Sequence, residues 1–297
     1  MTTVTSALAA PGLSLEDARH QALQIVNRSG SSFTLAMKLM SRARRQAMFA
    51  VYAFARAVDD IADGDAAPAQ KSQQLDEWRH EIERVYAGNP ATAIGLALSD
   101  AVQTYALPKQ EFLLLVEGME MDAVPIVAPP MQTLLDYTRR AAGTVGLLSM
   151  PIFGAPPGLV SDRFALALAD GLQLTNILRD VREDALIGRL YLPQELLAGQ
   201  GLERLPPLAV AESPLTVNVA AELGLIARLR FQDARSAMAS LDRRHIRPAL
   251  MMMGVYEGYL TLLEQSGWGL GDQPVRMSKR QKLLRSLRYA IHPPAQP

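Results

Sequence analysis

The sequence predicts an all-α protein. Apolar residues recur at helical spacing through most of the 297 residues, and apolar–polar alternation between tight turns is scarce. Hydrophobic residues make up 49% and charged residues 20%, enough apolar surface for a large core. No linker separates two halves. One domain is expected over 14–291, with flexible ends at 1–13 and 292–297.

A helix is expected from Ser14 to about Arg28, with Glu16 and Asp17 in its first turn. Ser29–Ser32 is a small polar break. A short helix follows, then a long one from about Ala43 to Ala62. Gly64–Ala69 is a loop. Helices are expected over Lys71–Ala87, Ala93–Ala106 and Pro108–Asp122, before a Pro-rich connection at Val124–Pro130. Met131–Phe153 is helical but punctuated by Gly143 and Gly146, which permit close approach of a neighbour. Ser161–Glu183 forms the next long helix. Ile187–Pro214 is irregular and rich in proline. Leu215–Leu241, Pro248–Gln265 and the basic segment Met277–Tyr289 complete the helices.

Formal net charge is zero, which gives no general attraction to nucleic acid, and none is expected as a partner. Cysteine is absent, which excludes disulfides, thiolate metal sites and cysteine nucleophiles. The four histidines are too scattered for a histidine zinc site. The N-terminus lacks a basic leader with an apolar core, and no apolar run is long enough to span a bilayer. A cytoplasmic location, with peripheral contact at the inner membrane face left open, is the expectation.

The informative feature is a pair of acidic rows. In Val51–Gly64 (VYAFARAVDDIADG), Tyr52, Arg56, Asp59 and Asp63 fall within roughly 60° of one another at helical spacing. In Gln173–Asp184 (QLTNILRDVRED), Gln173, Asn176, Asp180 and Asp184 fall within roughly 80°. Each row is embedded in apolar residues. A single Asp pair of this kind is ordinarily a solvated face. Two rows with aligned polar partners point instead to hard-cation binding, because Mg²⁺ takes one or two carboxylates and completes its shell with phosphate oxygens and water. By the angular count Asp60 leaves the shared face and supports it. Arg179 falls on another face from Asp180.

The chain resembles the squalene/phytoene synthase family of head-to-head prenyl transferases. The resemblance is carried by Ser31–Met40 (SSFTLAMKLM), Val51–Gly64, Gly118–Asp122 (GMEMD), Ala141–Leu148 (AAGTVGLL), Gln173–Asp184 and Gly188–Pro193 (GRLYLP). It implies an isoprenoid-synthase helical bundle with the two acidic motifs facing across a central cavity. Gly118–Gly154 looks most like the hopanoid-pathway presqualene diphosphate synthases, and the Arg-Tyr pair common after this motif in phytoene synthases is missing.

The resemblance implies that Asp59, Asp63, Asn176, Asp180 and Asp184 bind Mg²⁺, with Mn²⁺ as a substitute. It places Tyr52, Arg56, Tyr137, Arg179 and Tyr256 at the reacting groups. Ser31, Ser32, Phe33, Gln173, Asn176, Arg189 and Tyr191 are implied to contact substrate. The family pattern often has a polar residue where Gly30 stands. It also has an Arg near Gln273, which Arg276 or Lys279 could replace.

The implied reaction joins two farnesyl diphosphates into presqualene diphosphate. No glycine motif for a nicotinamide appears in a strand–turn–helix context, so NADPH is not expected. Hand-over to a downstream squalene-forming enzyme follows from that product. Phytoene, squalene or dehydrosqualene synthesis are the neighbouring alternatives. A non-catalytic assembly factor of the same fold is a further one, against which the intact aspartates count. Met251–Met253 are read as core or pocket wall, since thioethers do not select Mg²⁺. The basic segment with Leu283, Leu284, Leu287 and Ile291 fits either a membrane surface or a solvated helix.

Overall fold

The computed structural model describes residues 12–29, 33–268 and 275–292. Among the described residues there are fourteen α-helices in chain order. They are α1 (Leu15–Ser29), α2 (Phe33–Lys38), α3 (Arg42–Asp63), α4 (Pro68–Tyr86), α5 (Ala93–Tyr105), α6 (Lys109–Asp122), α7 (Met131–Thr138), α8 (Thr144–Phe153), α9 (Leu159–Leu186), α10 (Gln194–Ala198), α11 (Pro207–Glu212), α12 (Thr216–Met238), α13 (Arg243–Gln265) and α14 (Lys279–Ile291). Among the described residues there is no strand, only an isolated parallel bridge between Val127 and Leu190. The all-α expectation therefore holds. No described helix is long and apolar enough to cross a membrane.

The chain divides into two compact units. One comprises Met1–Val124 and Thr144–Pro157, the other Pro125–Gly143 and Gly158–Pro297.

In the first unit α3 is the central helix, packed on α1, α5, α6 and α8. Val51, Phe54 and Val58 are fully buried along it. The Phe54 ring meets Trp78 of α4 and Phe112 of α6 edge to face, at 5.5 and 5.4 Å between centroids. Such edge-to-face contacts add to burial and fix the helix in rotation. The row Tyr52, Arg56, Asp59, Asp63 then occupies the less buried face.

In the second unit α9 packs on α12, α13, α11 and the turn that follows α7. At Gly171 the fit is tight, since a Cβ there would lie 3.0 Å from the Phe231 ring of α12.

Three segments differ from the sequence expectation. Met131–Phe153 is not one α-helix, because Arg139–Gly143 widens into a π turn. A Cβ at Gly143 would sit 3.1 Å from Leu166, so glycine there lets α9 approach. The region expected to be irregular holds the short helices α10 and α11. Pro206 and Pro207 set up α11, since proline suits a first helical turn. Finally, α13 starts at Arg243 rather than Pro248. Asp242 caps it by accepting the Arg244 N–H at 2.9 Å, and Pro248 is carried inside the helix.

Candidate active site

The first acidic row lies at the C-terminal end of α3. Arg56 forks between two carboxylates: Nη1 lies 2.9 Å from Asp59 Oδ2 and Nη2 lies 2.5 Å from Asp60 Oδ1. Asp60 thus holds Arg56 together with Asp59. Burial pulls the Arg56 pKa down, but Asp59 and Asp60 outweigh it and raise it. Asp59 behaves in the opposite sense. Burial first, then the neighbouring Asp63, push its carboxyl up to about 7, against the pull of Arg56. Its side chain is 40% exposed, so water screens part of that effect.

Two further residues at this end escaped the sequence reading. Asp122, the last residue of α6, is buried, and its charge also raises Asp59. The motif GMEMD carried that signal. Lys71 of α4 is nearly buried and donates to the Ala62 carbonyl at 2.7 Å. A cation bonded to a carbonyl of the last helical turn interacts favourably with the helix dipole, one residue before Asp63.

The second row lies on α9. Arg179 is not on a separate face in effect. Its guanidinium reaches sideways to grip Asp180 with two bonds, Nε to Oδ1 at 2.6 Å and Nη2 to Oδ2 at 2.5 Å. The same guanidinium lies 5.4 Å from the centre of the Tyr259 ring on α13. Burial opposes its charge, yet Asp180 raises its pKa well above the ordinary arginine value.

Tyr256, one helical turn before Tyr259, hydrogen-bonds to the side chains of Asn176 and Arg179. Burial raises its phenol pKa, and Arg179 and these bonds pull it back. The second row is therefore a connected cluster: Asn176, Arg179, Asp180, Tyr256 and Tyr259. Tyr259 was not among the residues expected from sequence.

The remaining expected residues are placed as follows. Gln173 is half-buried on α9, one turn before Asn176, and Asp184 is half-buried one turn after Asp180. The Asp184 carbonyl accepts the Arg189 N–H at 2.9 Å, folding GRLYLP back on the helix end. Leu190 then pairs with the Pro-rich connection: its N–H donates to Ile126 and its carbonyl accepts from Ala128, both at 2.8 Å. This bridge fixes Arg189 and Tyr191 on either side of Leu190. Tyr191 is buried and stacks on Tyr137 at 5.3 Å between centroids. Tyr52 is half-buried on α3, one helical turn before Arg56. Phe33 is the first residue of α2, while Ser31 and Ser32 lie outside the described residues. Arg276 and Lys279 are both exposed. Met251–Met253 are all buried, as core residues are.

The donor set suits a hard divalent cation. Each row offers carboxylate oxygens and no thiolate or imidazole. No group of three or more His, Cys, Asp or Glu among the described residues forms a ready metal cage. The Asn176 Oδ1 atom is buried with no hydrogen-bond partner among the described residues. Asn176 thus meets Tyr256 through its amide nitrogen and leaves an oxygen uncommitted. A buried carbonyl without a partner is costly, and a bound cation would relieve it. Asp63, Asp60 and Asp122 crowd Asp59 and, after burial, raise its pKa, which points the same way.

Comparison with known proteins agrees with this chemistry. The squalene/phytoene synthase family profile matches residues 26–281. A presqualene diphosphate synthase from Rhodopseudomonas palustris is 39% identical over 279 residues, 93% of this chain and 97% of that one. A phytoene synthase from Mycobacterium bovis is 33% identical over 278 residues, 90% of this chain and 89% of that one. The crystal structure of squalene synthase HpnC from Alicyclobacillus acidocaldarius superposes with a TM-score of 0.78 at 26% identity, covering 86% of this chain and 95% of that one. The chain belongs to the squalene/phytoene synthase family.

Proposed function

We propose that the chain is a prenyltransferase that condenses two farnesyl diphosphates head to head into presqualene diphosphate, releasing one diphosphate. The observation that carries this is the pair of acidic rows, each with an arginine already held among its carboxylates, in a chain that matches a presqualene diphosphate synthase over 93% of its length. Over nearly the whole chain the presqualene diphosphate synthase is the more similar, at 39% against 33% for the Mycobacterium bovis phytoene synthase, while a Synechococcus elongatus phytoene synthase reaches 39% over only 62% of the chain; this favours the fifteen-carbon over the twenty-carbon reading.

Asp59 and Asp63 would hold Mg²⁺ at one row, and Asn176, Asp180 and Asp184 at the other, with Mn²⁺ as a substitute. Bound there, the ion supplies electrostatic stabilisation of a departing diphosphate. Arg56 and Arg179 each have a fixed orientation before substrate arrives, which suits them to meet charge that grows during C–O cleavage. The two bonds from Arg179 leave Asp180 further lone pairs for a cation. Tyr256 and Tyr137 are placed as orienting groups at the reacting carbons. Gln173, Arg189, Tyr191 and the segment Ser31–Phe33 are assigned to substrate binding.

The allylic C1 of the ionised substrate is attacked by the C2–C3 double bond of the second molecule. Loss of one proton then closes the cyclopropane. No hydride is consumed, so NADPH is not required. A single domain over 14–291 houses the reaction. Peripheral contact with the inner membrane face, from the cytoplasmic side, and hand-over of the product to a squalene-forming enzyme complete the proposal.

The test is competition. With Mg²⁺ present, kcat/KM for farnesyl diphosphate should exceed that for geranylgeranyl diphosphate. Asp59→Ala and Asp180→Ala should abolish turnover with the helical circular dichroism intact. Preference for the twenty-carbon substrate would refute the substrate assignment. Full activity in both variants would refute the site.

A further inference from the structure

Helix α14 is held by one face only. Its start is fixed by a capping box in which Ser278 and Gln281 exchange bonds. Its inner face lies on α13. Ser286 Oγ donates to the Met251 carbonyl at 3.4 Å, and the Tyr289 hydroxyl donates to the buried carboxylate of Glu257. Glu257 also accepts from Arg235 Nη2 at 2.5 Å. Gly254 and Gly258 of α13 make the approach possible. A Cβ at the first would sit 2.6 Å from the Tyr289 ring, and one at the second 2.5 Å from Arg285 Cδ. Lys282 lies over the Tyr259 ring at 5.4 Å. These contacts fix α14 in rotation.

The opposite face is left to solvent, and it is not polar. Two adjacent helical rows cover it. Leu283, Leu287 and Ile291 form one, and are 41%, 40% and 67% exposed. Arg280, Leu284 and Arg288 form the other, with Leu284 67% exposed. Residues 275–292 contain Arg276, Lys279, Arg280, Lys282, Arg285 and Arg288 but no Asp or Glu, in a chain whose 30 basic and 30 acidic residues balance. The positive charge is therefore concentrated beside the exposed aliphatic rows.

We propose that the outer face of α14 docks this protein on an anionic lipid bilayer, with Leu283, Leu284, Leu287 and Ile291 entering the acyl boundary and the flanking arginines meeting lipid phosphates. Amphipathic helices with basic flanks bind membranes through this combination of apolar burial and charge. A second copy of the chain is a poor occupant, because a twofold contact would press the same basic patch against itself. Nucleic acid would use the cations and leave four aliphatic side chains without a role.

The assignment deepens the peripheral contact proposed above. It does not depend on the reaction, because vesicle binding is read without substrate and turnover is read without vesicles. The experiment is co-sedimentation of the full chain with phosphatidylcholine vesicles and with vesicles containing phosphatidylglycerol. Binding to the anionic vesicles is expected to be at least about 10-fold stronger, and weaker in high salt. Arg280→Glu/Arg288→Glu should remove the anionic preference, and Leu284→Ser/Leu287→Ser/Ile291→Ser should reduce binding to both vesicle types. All should keep the parent circular dichroism and vesicle-free turnover. The proposal fails if the parent stays in the supernatant with both vesicles, or if the variants bind as well as the parent. It also fails if light scattering shows a parent dimer that the Leu→Ser variants dissociate.

Discussion

Replacing Asp59 by Asn should stabilise the metal-free protein while destroying its activity. Asp59 is raised from an ordinary 3.8 to about 7, first by burial and then by Asp63. Because the folded pKa lies above the unfolded one, the folded state holds the proton more tightly. Stability is then full below about pH 4, falls as pH rises toward about 7, and stays flat above. Without solvent screening the distance from 3.8 to about 7 would correspond to about 4 kcal/mol. With the side chain 40% exposed, about 1–2 kcal/mol is expected. Asparagine keeps the shape and carries no charge, so this cost disappears. The assay is urea unfolding of parent and Asp59→Asn in a chelator at pH 4 and pH 8. The variant's advantage should grow from near zero to about 1–2 kcal/mol across that range. Added Mg²⁺ should stabilise the parent at pH 8 and the variant much less. A stability difference that does not change with pH, or a variant weaker throughout, would refute this reading of the row.

Other consequences are equally checkable. Asn176→Ala removes the uncommitted buried oxygen and should weaken Mg²⁺ activation roughly 10–100-fold, read as a shift in the metal dependence of turnover. Arg179→Lys cannot make both bonds to Asp180 and should lower kcat/KM by roughly 100-fold, with the urea midpoint little changed. Gly224→Ala would place a Cβ 2.0 Å from the Trp268 ring and should cost about 1–3 kcal/mol in urea unfolding.

The fold class and both acidic rows were legible because each depends on local periodicity. Phe54 and Val58 on one side of α3 and Asp59 and Asp63 on the other follow from a 100° step. The same arithmetic failed at Arg179, because it treats a side chain as a radial pointer. An arginine is long enough to turn back along the helix surface and grip its neighbour Asp180. Pro248 was read as a helix start, yet the Asp242 cap begins α13 earlier and tertiary packing tolerates the proline. The π turn at Arg139–Gly143 has no periodic signature; only the glycine hinted at it. Asp122, Lys71 and Tyr259 come to the rows from other helices, and no spacing rule within one segment could have brought them there. Asp60 is a related case. The helical count sets it off the row, and its bond to Arg56, which ties it to that row, needed coordinates.

The most direct test of the central claim is the mass of the product formed from farnesyl diphosphate and Mg²⁺ alone. Presqualene diphosphate, formed without NADPH and lost in Asp59→Ala and Asp180→Ala, is the expected result. No consumption of farnesyl diphosphate, with a forty-carbon product from geranylgeranyl diphosphate instead, would contradict it.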